Sequence, residues 1–412
     1  MNKKFFIFGG VAIAVITIGV IIFFGFFNQR GSGPEQGMPP GCDLSSGEWA
    51  PQQGECQNNQ SLQNQCNEFC SNHPECCPGW SANYTSSQGG PGQTILPLPS
   101  ESEINSLTRN YVTIIKAIDE GPLIYQTLAT QEIISDDELE KMKETGFNTV
   151  QVLLVGQWDG DELVFNDVNN AALLNDIVAI KKKGMAVWIA LDSGLGNPNS
   201  ENIFDGSYEN YKSAFMDFVT ISFELMEKYK VEYLTVNNEE DMFFSFQNNW
   251  GDASQINNNL IDFFPATNKL AKEIFNGKLI NKMTQPRERT EEFLSATFKN
   301  VDIAGVDVGP FLGETTSLSD YKEQFNDYQF YATKAAAAGV PWMNAEYWLA
   351  NFGEATNYQK NNQLEYATIP FDYYTNTIPE GAGYTYNEFA SFSWEPQGEQ
   401  TRLAMKDFLE KI

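Results

Sequence analysis

The chain is poor in three things: histidine, cysteine beyond its N-terminal part, and positive charge. Its single histidine is His73, its last cysteine is Cys77, and it carries 26 lysines and arginines against 54 aspartates and glutamates. Downstream of these residues the missing imidazole excludes a Ser-His-Asp triad, an HExxH zinc site and a two-histidine iron site. The net charge of −28 excludes nucleic acid as an expected partner, because phosphate backbones are bound by lysine and arginine stripes that displace counterions. An anionic lipid surface is disfavoured for the same reason. No metal or cofactor is expected, so chemistry in the C-terminal part falls to carboxylates, amides and aromatics. What the chain does have is apolar bulk: 42% hydrophobic and 13% aromatic residues, enough for a large core and too much for a disordered chain. At roughly 150 residues per domain, 412 residues suggest two or three units.

Residues 5–27 form an uncharged apolar run, FFIFGGVAIAVITIGVIIFFGFF. It matches the ~20 residues that cross a hydrocarbon layer. Lys3 and Lys4 precede it and only Arg30 follows closely, so the positive-inside bias places the N-terminus in the cytoplasm and the rest outside. A cleaved signal peptide is the competing reading; it needs a shorter apolar core and a small-residue cleavage site, which is not evident. Residues 1–30 are therefore read as a membrane anchor. Residues 31–41 and 81–100, rich in Gly, Pro, Ser and Gln, are read as linkers. Between them, residues 42–80 hold Cys42, Cys56, Cys66, Cys70, Cys76 and Cys77. An even number of cysteines in a small polar segment that is exported points to three disulfides, with the pairing open. A zinc knuckle that includes His73 is the alternative.

Residues 101–412 alternate short apolar runs with longer amphipathic ones. The runs are 111–119, 147–155, 185–192, 231–238, 278–285, 301–308, 340–348 and 389–394. Helical patterns such as SDDELEKMKETG and NAALLNDIVAIKKKG lie between them, and several stop at a glycine ahead of the next strand: Gly146, Gly184, Gly277 and Gly339. Glycine accepts the left-handed conformation that ends a helix. Eight strands alternating with helices imply a parallel sheet, and the fold class expected is α/β, a (β/α)8 TIM barrel. An open doubly wound sheet is the alternative, but no glycine-rich phosphate loop follows an early strand. In such a barrel the active site lies at the C-terminal ends of the strands.

Two of those ends carry glutamates. Strand four ends in TVNNEED and strand seven in MNAEYW. Period-two alternation points Tyr233, Thr235, Asn237 and Glu239 toward the axis in strand four, and Trp342, Asn344 and Glu346 in strand seven. A strand-end bulge would shift either phase by one, leaving Glu240 as a lesser candidate. Other polar ends, Asp192 after strand three, Gln285 after strand five and Asp307 in strand six, are candidates for sugar contact or for capping loops. Trp158, after strand two, is either an outer platform or a hairpin aromatic.

On Asn238-Glu239, Glu346-Tyr347-Trp348 and Trp394 the region resembles the clan of (β/α)8-barrel retaining glycoside hydrolases of cellulase, mannanase and galactanase type. The resemblance implies Glu239 as acid/base, Glu346 as nucleophile, Asn238 as a ligand of the sugar 2-hydroxyl, and Trp394 as a stacking platform with Tyr347 and Trp348 nearby. It implies a polysaccharide or oligosaccharide partner and cleavage of β-glycosidic bonds by an extracellular enzyme. Two positions depart from the clan: Gln151 stands where an arginine is usual on strand two, and Val308 and Gly309 where a tyrosine commonly ends strand six. A non-catalytic, sugar-binding surface protein with a decayed barrel is the alternative.

Overall fold

The computed structural model describes residues 96–119, 133–159, 162–165, 167–193, 204–284, 289–307, 319, 322–323, 325–346, 363–377, 382–387 and 398–412. The apolar run 5–27, the linker 31–41, residues 81–95 of the second linker and the six cysteines lie outside the described residues. Among the described residues, no helix is long and apolar enough to cross a membrane.

Eight parallel strands close into a barrel: β1 (Ile115–Asp119), β2 (Thr149–Val155), β3 (Ala186–Asp192), β4 (Tyr233–Thr235), β5 (Lys278–Thr284), β6 (Ile303–Asp307), β7 (Trp342–Glu346) and β8 (Gly383–Asn387). Each pairs with its sequence neighbour and β8 pairs back to β1, from Ile115 opposite Gly383 to Asp119 opposite Asn387. A short antiparallel hairpin, Gln157–Asp159 with Glu162–Val164, follows β2. The helices, in chain order, are α1 (Glu101–Ser106), α2 (Asp136–Thr145), α3 (Asp167–Lys182), α4 (Tyr208–Lys228), α5 (Glu240–Phe246), α6 (Ala253–Ile274), α7 (Glu291–Thr297), α8 (Asn326–Ala337), α9 (Gln363–Thr377) and α10 (Gly398–Lys411).

Local sequence explains most of these boundaries. Ser135 caps α2 in a reciprocal capping box with Glu138, and Gly146 ends the helix at φ 107°. Gly184 and Gly339 are left-handed in the same way, at φ 76° and 73°. Gly277 differs from expectation. Helix α6 already ends at Ile274, and Gly277 has no positive φ. A glycine is needed there for close approach: a Cβ would come within 2.7 Å of the Glu232 carbonyl oxygen.

The eighth strand also departs from the sequence reading, which placed it at 389–394. The ladder partner of β1 is instead GYTYN, residues 383–387. The apolar weight of FASFSW outcompeted a short tyrosine- and threonine-bearing strand whose identity is set by pairing on both sides. Residues 389–394 lie outside the described residues.

Two apolar cores result. The larger fills the space between strands and helices, with Val150, Val152, Leu234, Val236, Phe263 and Phe264 among its members. The smaller lies inside the barrel and consists of Ile115, Ala117, Ala186, Trp188, Tyr233, Ile280, Ile303, Met343 and Ala345. Trp188 and Tyr233 supply its bulk; the Trp188 indole donates to Thr235 Oγ1 at 2.9 Å, so its one polar atom is satisfied. A packed interior leaves functional groups only the strand ends.

Candidate active site

Period-two alternation carries residues from the inner core up to the mouth. On β1, Ile115 and Ala117 face inward and Asp119 follows at the top; on β5, Ile280 faces inward and Lys282 follows. On β6, Ile303 leads to Asp307. Strands β4 and β7 break the alternation, each by one residue. Tyr233 pairs with Lys278 and Leu234 with Leu279, yet Asn238, not Asn237, bridges Lys282. On β7, Val306 pairs with Asn344 but Asp307 pairs with Glu346, skipping Ala345. These are β-bulges, which re-aim side chains next to active sites.

The bulges correct two orientations expected from the sequence. Asn237 faces the helices, accepting from Thr267 Oγ1 at 3.1 Å and donating to Asn268 at 3.4 Å. On β7 the phase is inverted: Met343 and Ala345 lie in the inner core, Trp342 packs on Tyr328 and Tyr374, and the Asn344 amide donates to the Tyr328 hydroxyl. The extra residue then returns Glu346 to the mouth. The expected destination of both glutamates is reached by a different route. Glu239 itself sits at φ 54°, a left-handed conformation uncommon for a residue with a side chain. Two residues on, Asp241 accepts from Thr284 N and Oγ1 and pairs with Arg289 at 2.7 Å. That clamp fixes the start of α5, and with it Glu239, to the end of β5.

Glu239, Asp307 and Glu346 each place a carboxylate oxygen within 4.8 Å of the other two. Lys282, fully buried, sits among them. Its ammonium lies 2.5 Å from Glu346 Oε2, 3.8 Å from Asp307 Oδ2 and 3.9 Å from Asp119 Oδ2. Asp119 in turn accepts from Gln151 Nε2 at 2.5 Å. Burial works to discharge the lysine, but Asp307, Glu346, Asp119 and Glu239 outweigh it and hold its pKa above the ordinary value. Burial, reinforced by the negative charge of Glu346 and opposed by Lys282, raises the Glu239 carboxyl to about 8. Burial likewise raises Asp307 well above the usual carboxylate range, and neither of its oxygens has a hydrogen-bond partner. Burial thus favours the protonated form of Glu239 and Asp307, while Glu346 sits in an ion pair with Lys282.

The remaining sequence candidates divide. Asn238 stands beside Glu239 with its amide donating to Asp192 Oδ2 at 3.5 Å and its carbonyl oxygen without a partner. Asp192 therefore flanks the site at the top of β3. Trp158 packs on Phe204 and Tyr211 and donates its indole N–H to the Ser193 carbonyl at 2.9 Å, which makes it part of an aromatic nest beside the mouth. Glu240, the lesser candidate, is buried against that nest, accepting from the Tyr211 hydroxyl at 2.6 Å. Gln285, Tyr347, Trp348 and Trp394 lie outside the described residues.

No protein-family model and no curated protein matches the sequence. Solved structures do match in shape. A GH5-4 broad-specificity endoglucanase from an uncultured bacterium aligns with a TM-score of 0.52 and 14% identity, over 75% of this chain and 95% of that one. An endo-1,4-beta-mannanase from Rhizomucor miehei aligns with a TM-score of 0.51 and 13% identity, over 74% and 97%. This chain has the (β/α)8 fold of those glycoside hydrolases. The resemblance seen in the sequence is thus matched at the level of fold.

Lys282 and Asp119 were not singled out as site residues in the sequence. The signal was present: with Ile280 inward on β5, alternation puts Lys282 on the same side, and a charged residue there has only the mouth to serve. Likewise Asp119 follows Ala117 on β1. Their pairing with Glu346 was not visible, because it joins strands far apart in the chain.

Proposed function

We propose that the barrel is a retaining glycoside hydrolase that cleaves β-glycosidic bonds of a polysaccharide or oligosaccharide, with Glu239 as acid/base and Glu346 as nucleophile. The observation that carries this reading is the approach of those two carboxylate groups, one oxygen of each within 4.8 Å of the other, at the mouth, with Glu346 paired to Lys282 and the Glu239 carboxyl raised by burial. Retaining enzymes hold their carboxyls about 5–5.5 Å apart, whereas inverting ones leave room for a water at roughly 6.5–9.5 Å. In the first half-reaction a Glu346 oxygen attacks the anomeric carbon as the glycosidic C–O bond breaks, and the leaving oxygen takes the Glu239 proton. In the second, a water gives its proton to the Glu239 carboxylate and its oxygen to the anomeric carbon, and the Glu346 ester bond breaks. Asn238, whose carbonyl oxygen is unpartnered, accepts from a sugar hydroxyl in this scheme, and Trp394 stacks on the sugar. The apolar run 5–27 holds the enzyme on the outer face of the cell membrane, and the disulfide-stapled segment 42–80 separates the two.

The test is a glycan panel screened for reducing-end release, together with a 2-fluoro glycoside bearing a good leaving group. The expected result is turnover in the parent, a covalent adduct on Glu346, and a loss of at least about 1,000-fold in both Glu346→Gln and Glu239→Gln on natural substrate. Sugar binding without turnover or adduct would instead establish the binding-only reading.

A further inference from the structure

The mouth gathers more acid than one reaction needs. Among the described residues, Asp119, Glu239, Asp307 and Glu346 surround one ammonium, and Lys282 does not share itself equally. Its contact with Glu346 is a charge-assisted hydrogen bond at 2.5 Å, whereas Asp307 and Asp119 stand back at 3.8 and 3.9 Å on either side. Lys282 enters from β5 opposite the bulge that aims Glu239, and reaches past Asp307 on β6 to Glu346 on β7. Its side chain is fully buried among carboxylates. On β2, Gln151 is engaged with Asp119.

Resting on the hydrolase reading above, we propose that Lys282, fixed by Asp119 and Asp307, is the positioning residue that holds Glu346 ionised and aimed at the anomeric carbon. The asymmetry of its contacts divides the acids into roles. Glu346 lies nearest the ammonium, while burial raises the carboxyls of Glu239 and Asp307. When Glu346 becomes an ester its charge is lost, and the ammonium is left to stabilise the Glu239 carboxylate that acts as base.

The experiment compares the parent with Lys282→Met, Lys282→Arg and Lys282→Met/Asp307→Asn in the full chain. The double variant removes an acid together with the amine, so that a folded protein is obtained even where the single variant collapses. An aryl glycoside whose leaving group needs no proton isolates the attack by Glu346. Expected is a fall in kcat/KM of about 100-fold in Lys282→Met, carried by kcat, with the acid limb of the pH profile moved to higher pH and partial recovery in Lys282→Arg. Carbon-13 NMR of labelled glutamate carboxyls, assigned through Glu346→Gln, follows the charge on Glu346 without turnover. Its titration is expected to move upward by about one pH unit or more when the amine is removed. A folded Lys282→Met or double variant with activity within about threefold of the parent and an unmoved Glu346 signal overturns the proposal. A parent with neither turnover nor adduct on any glycoside overturns the hydrolase reading instead, and the NMR signal still decides whether Lys282 holds the charge.

Discussion

Glu240 offers a quantitative test of the electrostatics around the mouth that does not depend on catalysis. Its side chain is enclosed by the aromatic nest, accepts from Tyr211 Oη at 2.6 Å and from the Ser193 side chain, and has no cation paired with it among the described residues. Burial raises its carboxyl from 4.5 to about 8, against the opposing Tyr211 hydrogen bond and with help from the charge of Asp192. The folded state thus binds a proton that the unfolded chain releases above its ordinary value. Protons bound in the native state exceed those in the unfolded state between pH 4.5 and about 8, so stability falls as pH rises through that window. At 1.36 kcal/mol per pH unit, the loss between pH 5 and pH 8 is about 3–4 kcal/mol from this one group. Glu240→Gln keeps an acceptor for Tyr211 and removes the titration. Urea unfolding of the parent and the variant, measured at several pH values from 5 to 8, should give curves that diverge by that amount, the variant gaining relative to the parent as pH rises. Parallel curves would refute the argument, showing either that Glu240 ionises freely or that water reaches it.

Glu239 gives a kinetic counterpart. Because the acid must be protonated to donate and its carboxyl is raised to about 8, kcat/KM on a substrate with a poor leaving group should decline above about pH 8, and Glu239→Gln should abolish that basic limb. A parent whose rate already declines with rising pH at pH 6 would contradict the assignment. On β6, a Cβ at Gly305 would meet the Asn281 carbonyl oxygen at 2.3 Å and Ala345 Cβ at 2.6 Å. Gly305→Ala should therefore cost about 1–3 kcal/mol in urea unfolding, and it should weaken Glu346 trapping because Ala345 is the extra residue of the β7 bulge.

The barrel was legible because its signals are local. Capping residues such as Ser135, helix-ending glycines such as Gly146, and apolar runs of strand length all act within a few residues, and they recovered seven strands close to their observed places. The eighth was misplaced because GYTYN becomes a strand only through its partners on both sides. The two glutamates were legible as residue types at strand ends, yet the sequence pattern gave the wrong inward set on β7, since a bulge is a fact of pairing and leaves no mark on periodicity.

By itself, then, the sequence determined which chemistry is open to this protein. Without histidine or cysteine in the barrel, only carboxylates, amides and aromatics remain, and alternation places some of them at the mouth. Only the tertiary structure decided how the acids differ from one another. Proton occupancy depends on distances between Lys282, Asp119, Glu239, Asp307 and Glu346, which come from five different strands or strand ends, and on how fully closure of the barrel removes water from between them.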